Sequence, residues 1–273
     1  MPEFAGSIGK IHYGRWEPED PTSLVVFFHG LGEHIGSYEP FTKALNAAGI
    51  AVWASDHSGH GRSEGERVLV ERIDDLIDDA AHLLELARAE HPVLPFALIG
   101  HSLGSAVVTL LVADRLLPAG IRPTGLVLTG SSLVPRLPED GAGLEAALRP
   151  GVDPMTFRKD PGELTRNTEY ARQIRDDPLT WQGGLRFPTL RALVDGHIRL
   201  TKVVESRVLT LPVLLIHGEE DDLAPAGGAR RAAERLPDGR VVVFPLDRHN
   251  ILNELDRDDV YRVLLEFLAH LPA

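Results

Sequence analysis

The chain reads as an α/β fold: a mostly parallel central sheet, helices on both faces, and one helical insertion. Three observations predict it. Short apolar runs rich in β-branched residues recur between helical patterns, the strand-helix alternation is regular as far as Thr129, and it stops over residues 131–206 before resuming. A strand buried on both faces has no polar side to show, so it appears as a continuous apolar run, and parallel sheets are built from such strands.

In chain order the strand-like runs cover residues 24–28, 50–54, 96–99, 125–129, 213–216 and 241–244. Helical periodicity fills residues 37–48, 71–88, 102–117, 227–236 and 256–268. Within 71–88, Ile73, Leu76, Ile77, Ala80, Leu84 and Ala87 recur at helical spacing. Asp74, Asp75, Asp78 and Asp79 take the other side, which reads as a solvated helix face. Over residues 131–206 no strand-like run occurs, and Pro135, Pro138, Pro150, Pro154, Pro161, Pro178 and Pro188 punctuate short helical patterns. This segment is expected to lie as a cap over the C-terminal edge of the sheet. The expected organisation is therefore one domain over residues 1–273, with its core in 1–130 and 207–273 and its cap in 131–206.

Composition bounds the function. A hydrophobic fraction of 43% with 25% charged residues is that of a globular chain able to bury a core. The net charge of −12 repels a phosphate backbone, which argues against nucleic acid as a partner. The absence of cysteine removes disulfides, thiolate nucleophiles and Cys-ligated zinc together and is compatible with a cytoplasmic location. Residues 1–10 contain Glu3 and Gly6 where a secretory leader needs an apolar stretch, so no targeting segment is expected. The longest apolar stretch, residues 106–113, is interrupted by Thr109 and is too short for a membrane span.

The most informative stretch is Gly100-His101-Ser102-Leu103-Gly104, which follows a strand-like run and opens an apolar helix. That is the context of a nucleophile elbow, a tight turn that presents a strained serine and needs small residues on either side. The alternative, Ser102 as a helix N-cap, is weakened by the flanking strand and helix. A serine hydroxyl needs a base to take its proton and an acid to orient that base, in the chain order Ser, acid, His. Of the histidines after Ser102, His197 falls in the insertion, His270 in the terminal helix, and His217 precedes the candidate acids. His249 follows the last strand-like run in a loop that should open at the C-terminal edge of the sheet, and is the candidate base. Glu219, Glu220, Asp221 and Asp222 are the candidate acids, and spacing alone does not rank them. An oxyanion hole would take the backbone N–H of Leu103 and that of Leu31, in the glycine-flanked turn after residue 28.

With these pieces assembled, the chain resembles the monoacylglycerol lipase family of α/β-hydrolases over most of its length. The resemblance rests on His29-Gly30-Leu31-Gly32-Glu33-His34 with Tyr38, on Asp56-His57-Ser58-Gly59-His60-Gly61-Arg62-Ser63 followed by Glu64, Gly65, Glu66 and Arg67, on the elbow, on Asp177-Pro178-Leu179, and on His249 with Glu254. It implies an α/β-hydrolase fold and a serine hydrolase that cleaves monoacylglycerols to glycerol and fatty acid through an acyl-enzyme. The family's acid stands three residues after the glycine in Gly-x-x-Asp-x-Leu, which here selects Asp221, with Asp222 next in line. The resemblance also implies that Glu33 and His101 lie near the head-group end of the pocket. It implies further that the cap supplies an apolar channel, for which Leu144, Leu148, Met155, Phe157, Leu185, Leu190, Leu193 and Ile198 are available. No cofactor or metal is implied, nor an obligate protein partner. The implied partner is a small-molecule lipid ester, with transient membrane or micelle contact through the cap. Leu103 stands where the family commonly has Met, and Ser105 where it has a second Gly.

Other readings are weaker. Gly30, Gly32 and Gly36 imitate a dinucleotide-binding fingerprint, but the third glycine is one residue late and Glu33 would face a pyrophosphate. His57 and His60 have metal-ligand spacing without an evident third ligand. A carboxylesterase or lysophospholipase would use the same triad and is the nearest alternative, since the pocket sets the substrate.

Overall fold

The structure, a computed structural model, describes residues 2–131, 133, 134, 137, 140 and 144–272, with the side chains of Leu144 and Glu145 outside that description. Eight strands form one sheet: β1 (Glu3–Ala5), β2 (Lys10–Trp16), β3 (Ser23–Phe28), β4 (Ile50–Ser55), β5 (Phe96–His101), β6 (Gly125–Thr129), β7 (Val213–Gly218) and β8 (Gly239–Phe244). Their spatial order is β1-β2-β4-β3-β5-β6-β7-β8. β1 and β2 pair antiparallel and β2 joins β4 antiparallel, while every pairing from β4 to β8 is parallel. The sequence expectation of a mostly parallel sheet holds, but β1 and β2 lay outside it. Lys10–Trp16 mixes Lys, His, Gly and Arg among its apolar residues, so no continuous run announces a strand.

The helices are α1 (Glu39–Ala47), α2 (Ile73–Glu90), α3 (Leu103–Leu111), α4 (Pro161–Leu164), α5 (Thr168–Asp176), α6 (Phe187–Ser206), α7 (Ala226–Arg235) and α8 (Arg257–Ala269). Two apolar clusters line the two faces of the sheet. One joins β-strand side chains such as Val26, Leu98 and Leu215 to α2, α3, α6 and α7; the other joins Phe27, Ile99 and Ile216 to α1 and α8. Burying apolar side chains on both sheet faces explains the uninterrupted apolar runs of β3, β5 and β6. The helix expected over residues 102–117 is α3 followed by one π-turn, Val112–Leu116. Among the described residues no helix is long and apolar enough to cross a membrane.

Asp79 corrects the reading of α2 as carrying a wholly solvated acidic face. It is buried, accepting the Ser7 N–H at 2.6 Å and the Ser58 hydroxyl at 2.8 Å, and so ties the N-terminal segment to the loop after β4. Asp74 is half-buried against Arg199 of α6, which also meets Asp114. These partners belong to distant segments that helical periodicity cannot register.

Between β6 and β7 the described chain holds α4, α5, α6 and single 3-10 turns, with no strand among the described residues. Pro135 and Pro138 lie outside the described residues. α6 packs on α2 and α3, and the Thr189 hydroxyl bridges the Val68 carbonyl and the Val70 N–H.

β3 is flanked by β4 on one side and β5 on the other, so the chain leaving β3 turns one way and the chain leaving β5 the other. Parallel sheets bind ligands in the crevice at such a reversal, beyond the C-terminal strand ends. The loop after β3, residues 29–34, and the turn after β5, residues 101–103, meet there.

Candidate active site

The turn from β5 into α3 is built around Ser102, whose backbone stands at φ 50° and ψ −114°. A non-glycine residue there is strained by about 1–3 kcal/mol and persists only where its surroundings enforce it. They do: the Ser102 N–H is fixed by the Thr129 carbonyl at 2.8 Å, and the Ser105 hydroxyl donates to the Gly100 carbonyl at 2.7 Å. Ser105 thus closes the turn with its own hydrogen bond. A Cβ on Gly104 would strike the Phe28 carbonyl oxygen, and one on Gly100 the backbone of Gly104. Glycine at both positions lets α3 press against the end of β3, which brings the elbow to the loop of residues 29–34.

β7 and β8 end beside one another, and the loops that follow carry Asp221 and His249, the candidate acid and base. Asp221 is buried, and its Oδ2 lies 2.9 Å from His249 Nδ1. Its Oδ1 accepts the N–H groups of Leu223 and Ala224 at 2.9 and 2.8 Å. Burial works to raise the Asp221 pKa, but the His249 charge and the hydrogen bonds from His217 and His249 outweigh it and hold the carboxyl well below the usual range. Burial likewise works to lower the pKa of His249, yet the Asp221 charge and hydrogen bond, with Glu33 beyond, leave it raised above 6.5. Glu219, Glu220 and Asp222 are exposed, and Asp222 pairs with Lys159 at 2.6 Å. His217 is a neighbour that the sequence reading set aside. Its Nε2 sits 3.2 Å from Asp221 Oδ2, the same oxygen that His249 meets, and bonds the Ala224 carbonyl, so it buttresses the carboxylate.

The His249 loop is held from the segment between β6 and β7. Glu254, fully buried, accepts the N–H groups of Arg166 at 2.9 Å and Arg248 at 3.1 Å. The Arg166 guanidinium bonds Asp247 and Asp256, and the Asn250 N–H reaches the Leu164 carbonyl at 2.9 Å. Burial pushes the Asp247 carboxyl up to about 6 although Arg166 works the other way.

The loop after β3 stands against the serine: a Cβ on Gly30 would lie 3.2 Å from Ser102 Cβ. Leu31 and Leu103 line the same cavity as Ser102 and His249, and Leu103, the first residue of α3, has no carbonyl four residues back within its helix for its N–H. The loop is shaped from beneath by His29 and His57. The His57 N–H donates to His29 Nε2 at 3.0 Å, which leaves His29 Nδ1 to donate to the Gly30 carbonyl at 2.7 Å. Burial lowers the pKa of His57 to about 3 and that of His60 to about 4, so both are neutral rings packed on one another. Among the described residues no group of three or more His, Cys, Asp or Glu side chains could hold a metal ion. From above, His34 Nε2 meets Asp177 at 2.9 Å and the Trp181 N–H donates to the Gly32 carbonyl at 2.8 Å.

Glu33 lines the cavity, its Oε2 accepting the Gly30 N–H at 2.9 Å and the Tyr38 hydroxyl at 2.5 Å. His101 lies behind the wall, buried, bonded to Thr129 Oγ1 at 3.0 Å and 3.9 Å from Glu33, and burial lowers its pKa to about 4. The sequence expectation put both residues at the head-group end of the pocket; only Glu33 reaches the cavity surface.

The cavity has a volume of about 400 Å³. Of the residues available for an acyl channel, Phe157, Leu185 and Leu193 line it. Leu190 is in the core, Met155 and Ile198 point to solvent, Leu148 is not in the wall, and the Leu144 side chain lies outside the described residues. Ile73, Ala106, Ile174, Trp181, Gly196 and Leu200 line it without having been foreseen, because three of the elements that carry them meet only in the fold. No hydrogen bond joins Ser102 Oγ to His249 among the described residues; such contacts commonly tighten once substrate excludes water.

The family described as serine aminopeptidase, S33, matches residues 19–256. The chain is 32% identical to a monoacylglycerol lipase of Mycolicibacterium smegmatis, with 94% of each chain covered. It is 34% identical to the monoglyceride lipase of Mus musculus, over 84% of this chain and 76% of that one. A monoacylglycerol lipase structure from Paleococcus ferrophilus superposes with a TM-score of 0.75 at 26% identity, over 94% of this chain and 98% of that one.

Proposed function

The chain belongs to the monoacylglycerol lipase family of α/β-hydrolases, and from that premise we propose that it hydrolyses monoacylglycerols with Ser102, His249 and Asp221 as its catalytic triad. The observation that carries the reading is a strained serine in the wall of a largely apolar cavity that also holds an imidazole bonded to a buried carboxylate at 2.9 Å.

In the proposed reaction His249 Nε2 takes the Ser102 proton as Oγ bonds to the ester carbonyl carbon. The N–H groups of Leu31 and Leu103 receive the oxyanion, each such donor supplying roughly 2.7 to 4 kcal/mol in comparable sites. The carbon–oxygen bond to glycerol breaks and glycerol leaves with the proton from His249. Water, deprotonated by the same imidazole, attacks the acyl-enzyme, and fatty acid departs as the proton returns to Ser102. Asp221 keeps the Nδ1 proton in place and stabilises the imidazolium. Glu33, tied to Gly30 and Tyr38 through one oxygen, has the other for a glycerol hydroxyl. Met155, Phe157 and Ile198, exposed on the segment between β6 and β7, offer apolar contact to a micelle or membrane, while a net charge of −12 opposes anionic lipid.

A turnover panel tests the substrate. Monoacylglycerols should be preferred to diacylglycerols, lysophospholipids, soluble short-chain esters and an aminoacyl arylamide. Comparable rates on the soluble esters would make the protein a general carboxylesterase, and preference for the arylamide would make it a peptidase.

The pH profile tests the base. His249 must be neutral to accept the serine proton, and its pKa is raised above 6.5. The activity should therefore be lost as pH falls through a value higher than that of a free imidazole, read as the acid limb of kcat/KM. A limb at or below 6.5 would contradict the assigned pairing with Asp221.

A further inference from the structure

Helix α6 turns Leu193, Gly196, His197 and Leu200 towards the cavity, the spacing of a single helix face. Gly196 stands near the middle of this 20-residue helix, where glycine disfavours the helical state roughly fivefold relative to alanine. Packing does not require it. The three heavy atoms nearest to a Cβ built there are Ile73 side-chain atoms, at 3.6 to 3.9 Å, which is ordinary contact, and no positive φ calls for glycine. What the missing side chain leaves is space, and that space belongs to the cavity, because Gly196 and Ile73 both line it. In the same cavity lining Ala106 follows Ser102 by one turn of α3, on which α6 packs. An acyl group on Ser102 thus has a small residue beside it on α3 and a bare stretch of backbone on α6.

Resting on the acyl-hydrolase reading above, we infer that Gly196, opposite Ile73, determines how much of a long acyl chain the cavity accepts. A side chain at this position takes volume that methylenes of the substrate would occupy. Each methylene kept out of an apolar site costs roughly fourfold in kcat/KM. Gly196→Leu, which adds four carbons, should lower kcat/KM for oleoyl glycerol roughly 250-fold, a far larger loss than on butyryl and acetyl esters. Gly196→Ala should cost roughly fourfold on the oleoyl ester alone and raise the Tm, since it adds a helix former at a site that accommodates it.

The experiment measures kcat/KM for acetyl, butyryl, octanoyl, myristoyl and oleoyl esters with the unaltered protein and both variants, with Tm alongside. A shorter preferred chain in the order Gly, Ala, Leu supports the inference. An equal loss on all esters, an unchanged length profile, or a lower Tm for Gly196→Ala would overturn it. Should the leucine variant fail to fold, the alanine variant carries the test by itself. If the unaltered protein cleaves none of the esters, the acyl-hydrolase reading fails, whereas turnover with a length profile indifferent to position 196 defeats only the inference.

Discussion

Replacing Ser102 with alanine should lower ester turnover on the order of a millionfold while leaving the fold and its stability close to unchanged. The magnitude follows from what the oxygen does: without Oγ no acyl-enzyme forms, and only oriented donors remain to assist water. The stability follows from the backbone. Alanine keeps the Cβ and hence the strain at φ 50°, and the hydrogen bonds that hold the turn come from the Ser102 N–H and the Ser105 hydroxyl, neither of which is lost. Ser102→Gly, equally inactive, should be at least as stable, because glycine occupies positive φ without penalty. A serine-reactive phosphonate should label the unaltered chain at Ser102 and label neither variant. Turnover by Ser102→Ala above a hundredth of the original rate would remove the serine from its assigned role.

Asp221→Asn should lower kcat by about ten-thousandfold, against less than tenfold for Asp222→Asn. The asymmetry lies in the two oxygens. Oδ1 of Asp221 accepts the N–H groups of Leu223 and Ala224, a task that an asparagine oxygen can inherit, so the loop stays folded. The amide nitrogen then takes the place of Oδ2 and offers a proton to His249 Nδ1. The imidazole is driven to carry its hydrogen on Nε2, where it cannot accept one from serine. Asp222 faces solvent and pairs with Lys159, so its loss removes chiefly a surface ion pair of little consequence. Kinetics of the two variants on one ester decide the matter, and a larger loss for Asp222→Asn would transfer the role of acid.

How far the site was legible depended on how local its signal is. The elbow could be read from Gly100, Ser102 and Gly104 because the steric need for small residues acts within five consecutive positions. His249 could be singled out as the candidate base because it follows the last strand of a parallel sheet. The choice among Glu219, Glu220, Asp221 and Asp222 required a family resemblance, since four adjacent carboxylates differ in burial and not in local pattern. His217 had a signal, four residues before Asp221, but its role depends on a turn that brings its ring back to that carboxylate. Arg166 had none, because its partners Asp247, Glu254 and Asp256 are some eighty or more residues away.

By itself the amino-acid order determined the parallel core, through uninterrupted apolar runs that only a sheet covered on both faces can bury, and singled out Ser102 and His249 as the candidate nucleophile and base. The packed molecule alone decided which carboxylate is dry, that Asp79 turns inward, and which side chains from α2, α3 and α6 bound the cavity. Periodicity records whether a residue is buried within its own element, whereas these properties depend on what lies opposite, which is set by how the helices dock on the sheet.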